Sequence, residues 1–362
     1  MKNYYLFLFL FINYSISGQI NSPKYSNEFL NIGVGARSLA MSNSVITSTN
    51  SAMSGFWNPA NLSRINNDIQ VGLMHAEYFA GIAKYDFGSV AKKIDEKSGF
   101  GFSFLRFGVD NIPNTSELID AQGNVNYDRI SYFSAADIAF IGSYGRKIND
   151  NLSVGGSAKV INRTAGDFAS AWGFGIDISS TYIKNDWAVA LVAKDVTSTF
   201  NVWRYQLSSE MINTFYSTGN EIPENGLELT LPRLIVGLSK NYEFEKNVHL
   251  LIEFNADITT DGNRNVLLSG NPFSIDPHIG SEFNIKDIVF IRGGIGNVQK
   301  TPDLTGKMIY TIQPNLGIGI NIKGVEIEYA LTDIGDVSIA EYSNIFSLKF
   351  NLNPKQIENN KD

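Results

Sequence analysis

Three histidines and a complete lack of cysteine limit the chemistry available to this chain. His75, His249 and His278 lie in different segments, and none belongs to an H-E-x-x-H motif; no G-x-S-x-G motif is present either. Hydrolytic catalysis needs a nucleophile, a base and an orienting group within hydrogen-bond reach of one another. The absence of cysteine excludes disulfides and thiolate chemistry. We therefore predict a protein that is not an enzyme and has no cofactor.

Two short motifs resemble ligand-binding loops but are incomplete. Gly33 and Gly35 match the start of a dinucleotide-binding G-x-G-x-x-G loop, but Ser38 occupies the third glycine position and no βαβ pattern surrounds it. The segment 257–263 carries oxygen ligands suited to calcium but lacks the distal glutamate of an EF-hand loop. Close backbone packing explains the glycines better. We predict no metal site and a polar loop at 257–263.

The net charge of −7 argues against nucleic acid as a partner, because phosphates need a basic face. The amino terminus has the pattern of a secretory signal peptide: Lys2 precedes an apolar run from Leu6 to Ile12, followed by small residues up to Gly18. A spanning helix needs about 20 apolar residues, and neither this run nor any later one is long enough. We predict a signal peptide over residues 1–18. A membrane role would then require a β-barrel, and hence an outer membrane.

From residue 67 onward, residues on opposite faces of the predicted strands differ in polarity. In one example Val325, Ile327 and Tyr329 alternate with Glu326 and Glu328. This period of two is typical of β-strands with one apolar face. It predicts fourteen strands, over residues 67–77, 80–92, 98–107, 133–147, 150–163, 172–183, 186–195, 229–242, 247–258, 276–284, 287–297, 308–322, 324–333 and 343–352.

The predicted connections differ in length at the two ends of the strands. Short turns follow the even-numbered strands, and the long connections follow odd-numbered ones: 108–132, 164–171, 196–228, 259–275, 298–307 and 334–342. Outer-membrane barrels have short periplasmic turns, longer outer loops and an even strand number. We predict an all-β fold, a 14-stranded antiparallel transmembrane β-barrel with both termini in the periplasm. A secreted β-sandwich would give similar alternation and is the alternative fold.

The stretch from Phe29 to Leu62 precedes the strands and is apolar and rich in small residues. Such a segment suggests a plug inside the wall that follows it. We predict an N-terminal periplasmic or lumenal hatch over residues 19–66, which enters the barrel from the short-turn side. The barrel follows over residues 67–352, and residues 353–362 form a periplasmic tail.

The strand pattern also predicts the character of the lumen. Charges on the lipid face near the bilayer midplane cost about 2–4 kcal/mol for Lys or Arg, so charged residues within strands should point inward. A polar lumen of mixed charge suits a plugged barrel better than an apolar tunnel. The residues expected to point inward are Lys159, Arg163, Glu253, Asp257, Glu326, Glu328 and Lys349.

Six segments of the chain carry a recognisable series of motifs: 33–41, 57–60, 107–115, 128–130, 132–137 and 166–173. In these segments the chain resembles the PorV/PorQ family of outer-membrane proteins of Bacteroidota. The resemblance covers essentially the whole mature chain, and the chain departs from the family pattern at Asn61, where a glycine is usual. The resemblance implies a barrel similar in architecture to the FadL long-chain fatty acid transporters, with an N-terminal hatch and an association with the type IX secretion system.

The resemblance implies a role in protein transport. Members of the family act as accessory barrels that accompany the translocon barrel, receive secreted cargo or hold a surface protein, whereas FadL-like relatives move hydrophobic compounds. We predict the accessory role, with outer-membrane lipid around the barrel, and keep hydrophobic transport as the alternative. The hatch motif is predicted to have a structural role through Gly33, Gly35, Ala36, Arg37, Trp57, Asn58, Pro59 and Ala60.

The two longest outer loops are the predicted partner-binding regions. Loops of this length are usually functional or disordered, and exposed aromatic residues and Met are enriched at interfaces. Part of the second loop, between Trp203 and Tyr216, suits a short amphipathic helix. The loops could instead fold back to cap the barrel, or admit a hydrophobic ligand. The candidate contact residues are Ile112, Pro113, Leu118, Ile119, Tyr127, Tyr132, Phe200, Trp203, Tyr205, Met211, Phe215 and Tyr216.

Overall fold

A computed structural model describes residues 26–115, 118, 124–245, 247–303, 305–332 and 342–352. The predicted signal peptide, the first residues of the predicted hatch and the predicted tail at 353–362 lie outside the described residues. Ile119, one of the candidate contact residues, also lies outside them.

Sixteen strands make up most of the described chain. Within each strand, successive side chains alternate between the two faces. The strands are β1 (Ile69–Tyr78), β2 (Ala83–Asp95), β3 (Ser98–Asn114), β4 (Ser131–Lys147), β5 (Leu152–Ala165), β6 (Ala169–Lys184), β7 (Trp187–Lys194), β8 (Thr199–Tyr205), β9 (Gly226–Thr230), β10 (Arg233–Glu245), β11 (Val248–Thr259), β12 (Ser274–Ile285), β13 (Val289–Pro302), β14 (Met308–Ile322), β15 (Val325–Thr332) and β16 (Ser343–Leu352).

The helices are short and lie mainly in the segment before β1. None of the helices among the described residues is long and apolar enough to cross a membrane. The α-helices are α1 (Ala36–Ala40), α2 (Ser54–Trp57) and α3 (Ser209–Thr218), and 3-10 helices cover Glu28–Leu30, Pro59–Arg64 and Tyr127–Arg129.

The sixteen strands occupy fourteen positions in one closed antiparallel wall, which confirms the predicted fold. Closure follows because β1 pairs with both β2 and β16, and β5 pairs with β6. β7 pairs with the lower part of β6 and β8 with its upper part, so they form one interrupted wall strand. β9 and β10 form a second interrupted strand beside them, since β8 pairs with β9 and β7 with β10.

The interruption between β7 and β8 was not expected from the sequence. Asp195 and Ser198 have positive φ values of 58° and 55°. These values turn the chain away from β6 after β7, and the chain pairs with β6 again in β8. The predicted loop 196–228 is therefore wrong at both of its ends, because β8 and β9 extend the wall there. The predicted loop 164–171 is also too long, since β5 ends at Ala165 and β6 begins at Ala169.

The two ends of the barrel differ as predicted. The connections from β3 to β4, from β8 to β9 and from β11 to β12, over 115–130, 206–225 and 260–273, all lie at one end. The turns at the other end, such as 96–97, 185–186 and 323–324, contain two to four residues. We call these the long-loop end and the short-turn end. Their asymmetry matches that of outer-membrane barrels.

The outward face of the wall is apolar. On β14 the outward side chains of Leu316, Ile318, Ile320 and Ile322 are all exposed. Water would disfavour such a continuous apolar strip, but hydrocarbon chains would not. The sequence alternation therefore corresponds to a wall that faces lipid on its outside.

The segment before β1, residues 26–66, fills the lumen as a hatch. Its 3-10 helix Pro59–Arg64 packs so closely on the wall that side chains are excluded from some wall positions. A Cβ atom on Gly145 of β4 would lie 2.2 Å from the Pro59 carbonyl oxygen, and one on Gly155 of β5 would lie 2.3 Å from the Ala60 nitrogen. Glycine at these two positions allows the hatch backbone to contact the wall backbone.

The described part of the hatch begins at the long-loop end, whereas the predicted entry from the short-turn side concerns residues before 26, which lie outside the described residues. Asn27 Nδ2 donates to Thr230 Oγ1 at 2.8 Å, and the Tyr85 hydroxyl donates to the Phe29 carbonyl at 2.9 Å. Glu28 pairs at 3.1 Å with Arg264 of the 260–273 loop. The hatch then descends to the short-turn end, where it joins β1. Period-two patterns describe the wall but contain no information on the path of a non-strand segment inside it.

Replacing Gly145 by alanine should loosen the hatch, because the new methyl group would meet the Pro59 carbonyl. Overpacking of this kind costs about 1–3 kcal/mol. In planar bilayers, we expect more frequent channel openings for Gly145→Ala than for the unaltered barrel. Gly142→Ala on the same strand is the matched control, because a Cβ there has open space around it. Equal conductance of the two variants would show that this contact does not hold the hatch.

Candidate functional site

The hatch motif forms a compact hydrogen-bonded unit inside the lumen. Gly33 and Gly35 have φ values of 97° and 91°, which favour glycine, and a Cβ on Gly35 would lie 2.4 Å from the Met53 sulfur. The buried Trp57 Nε1 donates to the Val34 carbonyl at 2.9 Å. The two halves of the motif, distant in sequence, are therefore joined directly.

The Asn58-Pro59-Ala60 segment fastens this unit to the wall. Asn58 Nδ2 donates to the Ile46 carbonyl at 2.7 Å and to Thr181 Oγ1 of β6 at 2.8 Å. Asn58 Oδ1 accepts from the Ala60 nitrogen at 3.1 Å, and Pro59 takes the first position of the 3-10 helix, where a missing donor is harmless. At Asn61, the departure from the family pattern, Nδ2 also donates to the Ile46 carbonyl at 3.1 Å.

An ion-pair network joins the hatch to the far side of the wall. Arg37 of α1 contacts Glu282 of β12 at 2.8 Å, and Arg292 of β13 contacts the same carboxylate at 2.6 Å. Arg292 also lies 3.0 Å from Glu328 of β15, which lies 3.2 Å from Lys349 of β16. A buried charge is tolerated when opposite charges surround it. The hatch arginine therefore completes the charge balance of the wall.

Further charged groups occupy the lumen beside the interrupted strand. Lys159 of β5 lies 2.8 Å from Asp177 of β6 and 2.6 Å from Asp195 at the end of β7. Thr199 donates a hydrogen bond to Asp195. These contacts hold the turn between β7 and β8 against the wall. They give a reason for the interruption between β7 and β8, since the extra residues 195–198 place Asp195 beside Lys159.

The charged residues predicted to point inward do so. Each has a partner: Arg163 pairs with Asp137 at 2.8 Å and with Glu228 at 3.1 Å, and Glu253 accepts from the Thr47 nitrogen at 2.7 Å. The remaining pairs are Lys159 with Asp177, Arg233 with Asp257, and Lys349 with Glu326 and Glu328.

Ser44, His278 and Asp257 lie in the order of a hydrolase triad. Ser44 Oγ is 2.9 Å from His278 Nδ1, and His278 Nε2 is 3.3 Å from Asp257 Oδ1. Ser44 nevertheless has no exposed surface, so a substrate carbonyl cannot approach its hydroxyl. Because Ser44 belongs to the hatch and the other two residues to the wall, we interpret this row as an anchor. Among the described residues, no three His, Cys, Asp or Glu side chains cluster as metal ligands.

The hatch separates two cavities. A cavity of about 710 Å³ opens toward the long-loop end and includes Trp57, Lys194, Asp257 and Asp276 in its lining. A smaller one of about 370 Å³ lies toward the short-turn end beside Arg64. Between them the hatch places fully buried apolar side chains, including Val34, Met41, Val45 and Ile46. We call the larger one the upper cavity.

The candidate residues of the first long loop lie mostly at its base. Ile112 and Pro113 are part of β3 and pair with β4, where Pro113 lies opposite Tyr132. Tyr127, in the 3-10 helix, and Tyr132 are exposed, by 73% and 68%. Leu118 is half-buried, and its carbonyl accepts from the Asn126 nitrogen at 2.8 Å. The two tyrosines are the accessible aromatic groups of this region.

The candidate residues of the second long loop, predicted over 196–228, are divided between the wall and a helix. Phe200, Trp203 and Tyr205 lie on β8, where Trp203 Nε1 donates to Glu228 at 2.6 Å and the Arg163 guanidinium lies over the indole ring. Trp203 therefore supports the wall. The helix expected in this region is α3, which carries the remaining candidates: Met211, Phe215 and Tyr216.

Helix α3 has well-defined ends. Ser208 Oγ accepts from the Met211 nitrogen at 3.2 Å, and Gly219 ends the helix with a φ of 68°. Tyr216 is 71% exposed, and no residue of the helix is buried. The helix thus presents its aromatic side chains at the long-loop end and does not seal the barrel.

A comparison with models of protein families identifies the family of this barrel and its hatch. The family described as "Type IX secretion system protein PorV" matches residues 20–204, which include the hatch and the first half of the wall. The chain belongs to the PorV family. A comparison with curated protein sequences finds no match.

Solved structures with the same fold are outer-membrane barrels. The Pseudomonas putida toluene transporter TodX aligns with a TM-score of 0.54 and 14% identity over 89% of this chain and 99% of that one. The Ralstonia pickettii toluene transporter TbuX gives 0.52 and 14%, over 88% and 98%. A Pseudomonas aeruginosa FadL homologue gives 0.50 and 12%, over 88% and 98%. This PorV-family chain is thus similar in fold to FadL-like barrels.

Sequence reasoning missed several residues that bind the hatch to the wall. Asp177, Glu282 and Arg292 are central to the ion pairs, and Ser347 Oγ accepts from the Ala36 nitrogen at 2.7 Å. A signal was present, because each of these residues lies at an inward position of the alternation. Which inward groups meet could not be read from the sequence, since the partners are up to 311 residues apart.

Removing the Glu282 carboxylate should destabilise the PorV-family barrel, because Arg37 and Arg292 would keep their charges without it. Removing one partner of a buried ion pair lowers the free energy of unfolding by about 3–5 kcal/mol. We expect Glu282→Gln to unfold at lower urea concentration in detergent, followed by the heat-dependent gel shift of barrels. Adding Arg37→Met should restore part of the loss. The control Glu96→Gln, at an exposed pair with Lys93, should change stability by less than about 0.5 kcal/mol.

Proposed function

We propose that this outer-membrane barrel is an accessory scaffold or shuttle in type IX protein secretion. It would contact the translocon, a secreted cargo or a surface partner through its long-loop end, and it would carry out no catalysis. Membership of the PorV family supports the secretion system as its setting. The observation that carries the rest is the hatch, which fills the lumen with buried side chains.

A filled lumen favours a role at the surface of the barrel. The hatch is bonded to β6, β12 and β16 through Asn58, Arg37 and Ala36, so its displacement would break many contacts together. Exposed aromatic groups outside the strands of the wall include Tyr216 on α3 and Tyr127 in the 3-10 helix Tyr127–Arg129, both at the long-loop end. Exposed tyrosines of this kind are common in protein interfaces.

The proposal includes an orientation. We assign the short-turn end to the periplasm and the long-loop end to the cell exterior, by analogy with other outer-membrane barrels. β16 ends at Leu352 on the short-turn side, so the carboxy terminus would be periplasmic. Outer-membrane lipid would contact the apolar outer face of the wall.

Transport of hydrophobic small molecules is the second candidate. It is favoured by the fold likeness to the two toluene transporters and by the upper cavity, which opens toward the long-loop end. The cavity lining weighs against it, because Lys194, Asp257 and Asp276 all face this space. An apolar solute would have to displace water from these groups without replacing its hydrogen bonds.

The α3 surface can be tested in native outer membranes. We expect Phe215→Ser combined with Tyr216→Ser to abolish co-purification of secretion proteins and to reduce cargo secretion, because the variant loses the exposed ring of Tyr216 and the half-buried ring of Phe215 beside it. Truncating residues central to an interface usually costs about 2 kcal/mol or more. The measurement is affinity purification followed by mass spectrometry, with secreted cargo quantified in the medium.

Tyr182→Ser is the matched control, since Tyr182 is an exposed tyrosine of β6 near the short-turn end. It should leave co-purification unchanged. Isolation of the unaltered protein as a lone barrel under mild detergent, with normal secretion after its deletion, would contradict the scaffold role. Loss of growth on a hydrophobic carbon source after the same deletion would favour the transporter.

A further inference from the structure

Lys194 is an unusual charged group at the floor of the upper cavity. Its side chain is 94% buried (6% exposed), yet within the described residues its Nζ makes no hydrogen bond and no ion pair. The ammonium instead lies 4.5 Å from the ring centre of Phe56 and 5.5 Å from that of Trp57. Cation–π contacts stabilise such a charge only partly and satisfy none of its three donors as a carboxylate would.

The surroundings show that Lys194 differs from the other buried lysine. Lys159 lies within 2.8 Å of two carboxylates. Lys194 stands directly opposite Arg233 on the neighbouring strand, and Arg233 is already paired with Asp257 at 3.0 Å. Like charges facing each other across strands are destabilising. The fold therefore keeps an ammonium at the cavity with room for an anion.

An unpaired carboxylate faces the same cavity. Asp276 Oδ1 is buried and finds no hydrogen-bond partner in the part of the chain that the structure describes, and its strand, β12, is three wall positions from β7. The nearby charged groups have partners of their own: Asp257 contacts Arg233 and His278. At Arg264, burial lowers the pKa, but the hydrogen bonds that its guanidinium donates to the Asp261 and Glu28 carboxylates raise the pKa above its usual value overall.

The distance between Lys194 and Asp276 limits the length of a ligand that could contact both. Neighbouring strands are about 4.8 Å apart, so three positions separate the backbones by about 14 Å, and inward side chains shorten this gap. An extended peptide covers about 3.3–3.6 Å per residue. Three residues therefore span roughly 10 Å, and the cavity of about 710 Å³ is within the usual range for small-ligand sites.

Part of the remaining lining suits a peptide backbone. Carboxamide side chains of Asn31, Asn297, Gln299 and Gln313 line the upper cavity, beside apolar side chains such as Ile235. Carboxamides both donate and accept hydrogen bonds, as a peptide group requires.

We propose that the upper cavity binds a short zwitterionic peptide of about three residues, a length that follows from the strand spacing and the rise per residue. Its carboxylate contacts Lys194 Nζ and its ammonium contacts Asp276. This inference does not depend on the proposed role in secretion. It would hold equally for a barrel that scaffolds a translocon.

The first experiment varies the ligand and leaves the protein unaltered. Triglycine, triglycine amide and acetyl-triglycine are titrated into the purified full-length barrel in nanodiscs by isothermal calorimetry. We expect triglycine to bind, and each blocked peptide to bind at least about tenfold more weakly, as for loss of a charge-assisted hydrogen bond. Free glycine, which cannot reach both groups, should also bind at least about tenfold more weakly. Absence of triglycine binding, or equal binding of all four compounds, would overturn the proposal.

The second experiment assigns each end of the peptide to a residue. Lys194→Met should weaken triglycine about tenfold but leave the affinity for the amide unchanged, because that ligand lacks the carboxylate. Asp276→Asn should also weaken triglycine binding about tenfold, but it should leave the affinity for acetyl-triglycine unchanged, because that ligand lacks the ammonium group. Lys184→Met and Asp150→Asn, at exposed sites on the short-turn side, should have no effect. Equal weakening of blocked and unblocked peptides by both cavity variants would refute the assignment.

Discussion

The hydrogen-bonding requirement of a polypeptide enclosed in a barrel governs this structure. Inside the lumen the hatch backbone has little access to water, so the wall must supply its partners. Ser347 accepts from the Ala36 nitrogen, Glu253 from the Thr47 nitrogen and Ser179 from the Ala60 nitrogen. The polar face of each strand is therefore complementary to one particular path of the hatch.

This requirement also explains how the two ends of the barrel are connected. The hatch begins beside the 260–273 loop, through Glu28 and Arg264, and ends on the glycines of β4 and β5 at the short-turn end. A force on the 260–273 loop would therefore reach the hatch directly. Helix α3, by contrast, has no buried residue.

The sequence could predict features that depend on local periodicity, and these were correct. Alternation identified the fourteen wall positions and the inward direction of Lys159 and Glu328, because each residue of a strand has only two possible faces. The turn at Asp195 was missed, since it depends on a lysine from another strand. The path of the hatch inside the wall and the pairing of Arg37 with Glu282 were not foreseen, because no periodicity relates segments so distant in sequence.

The residues that face the lumen can differ between barrels that share this fold. A barrel can keep its ladder of backbone hydrogen bonds while its inward residues change. Here those residues form ion pairs with a hatch, and the space that remains contains Lys194 and Asp276, neither of which forms an ion pair with another described residue. A charged group in such a place favours ligands that bring the opposite charge. The upper cavity therefore has charged and polar groups in its lining, inside a wall that is similar in fold to the toluene transporter TodX.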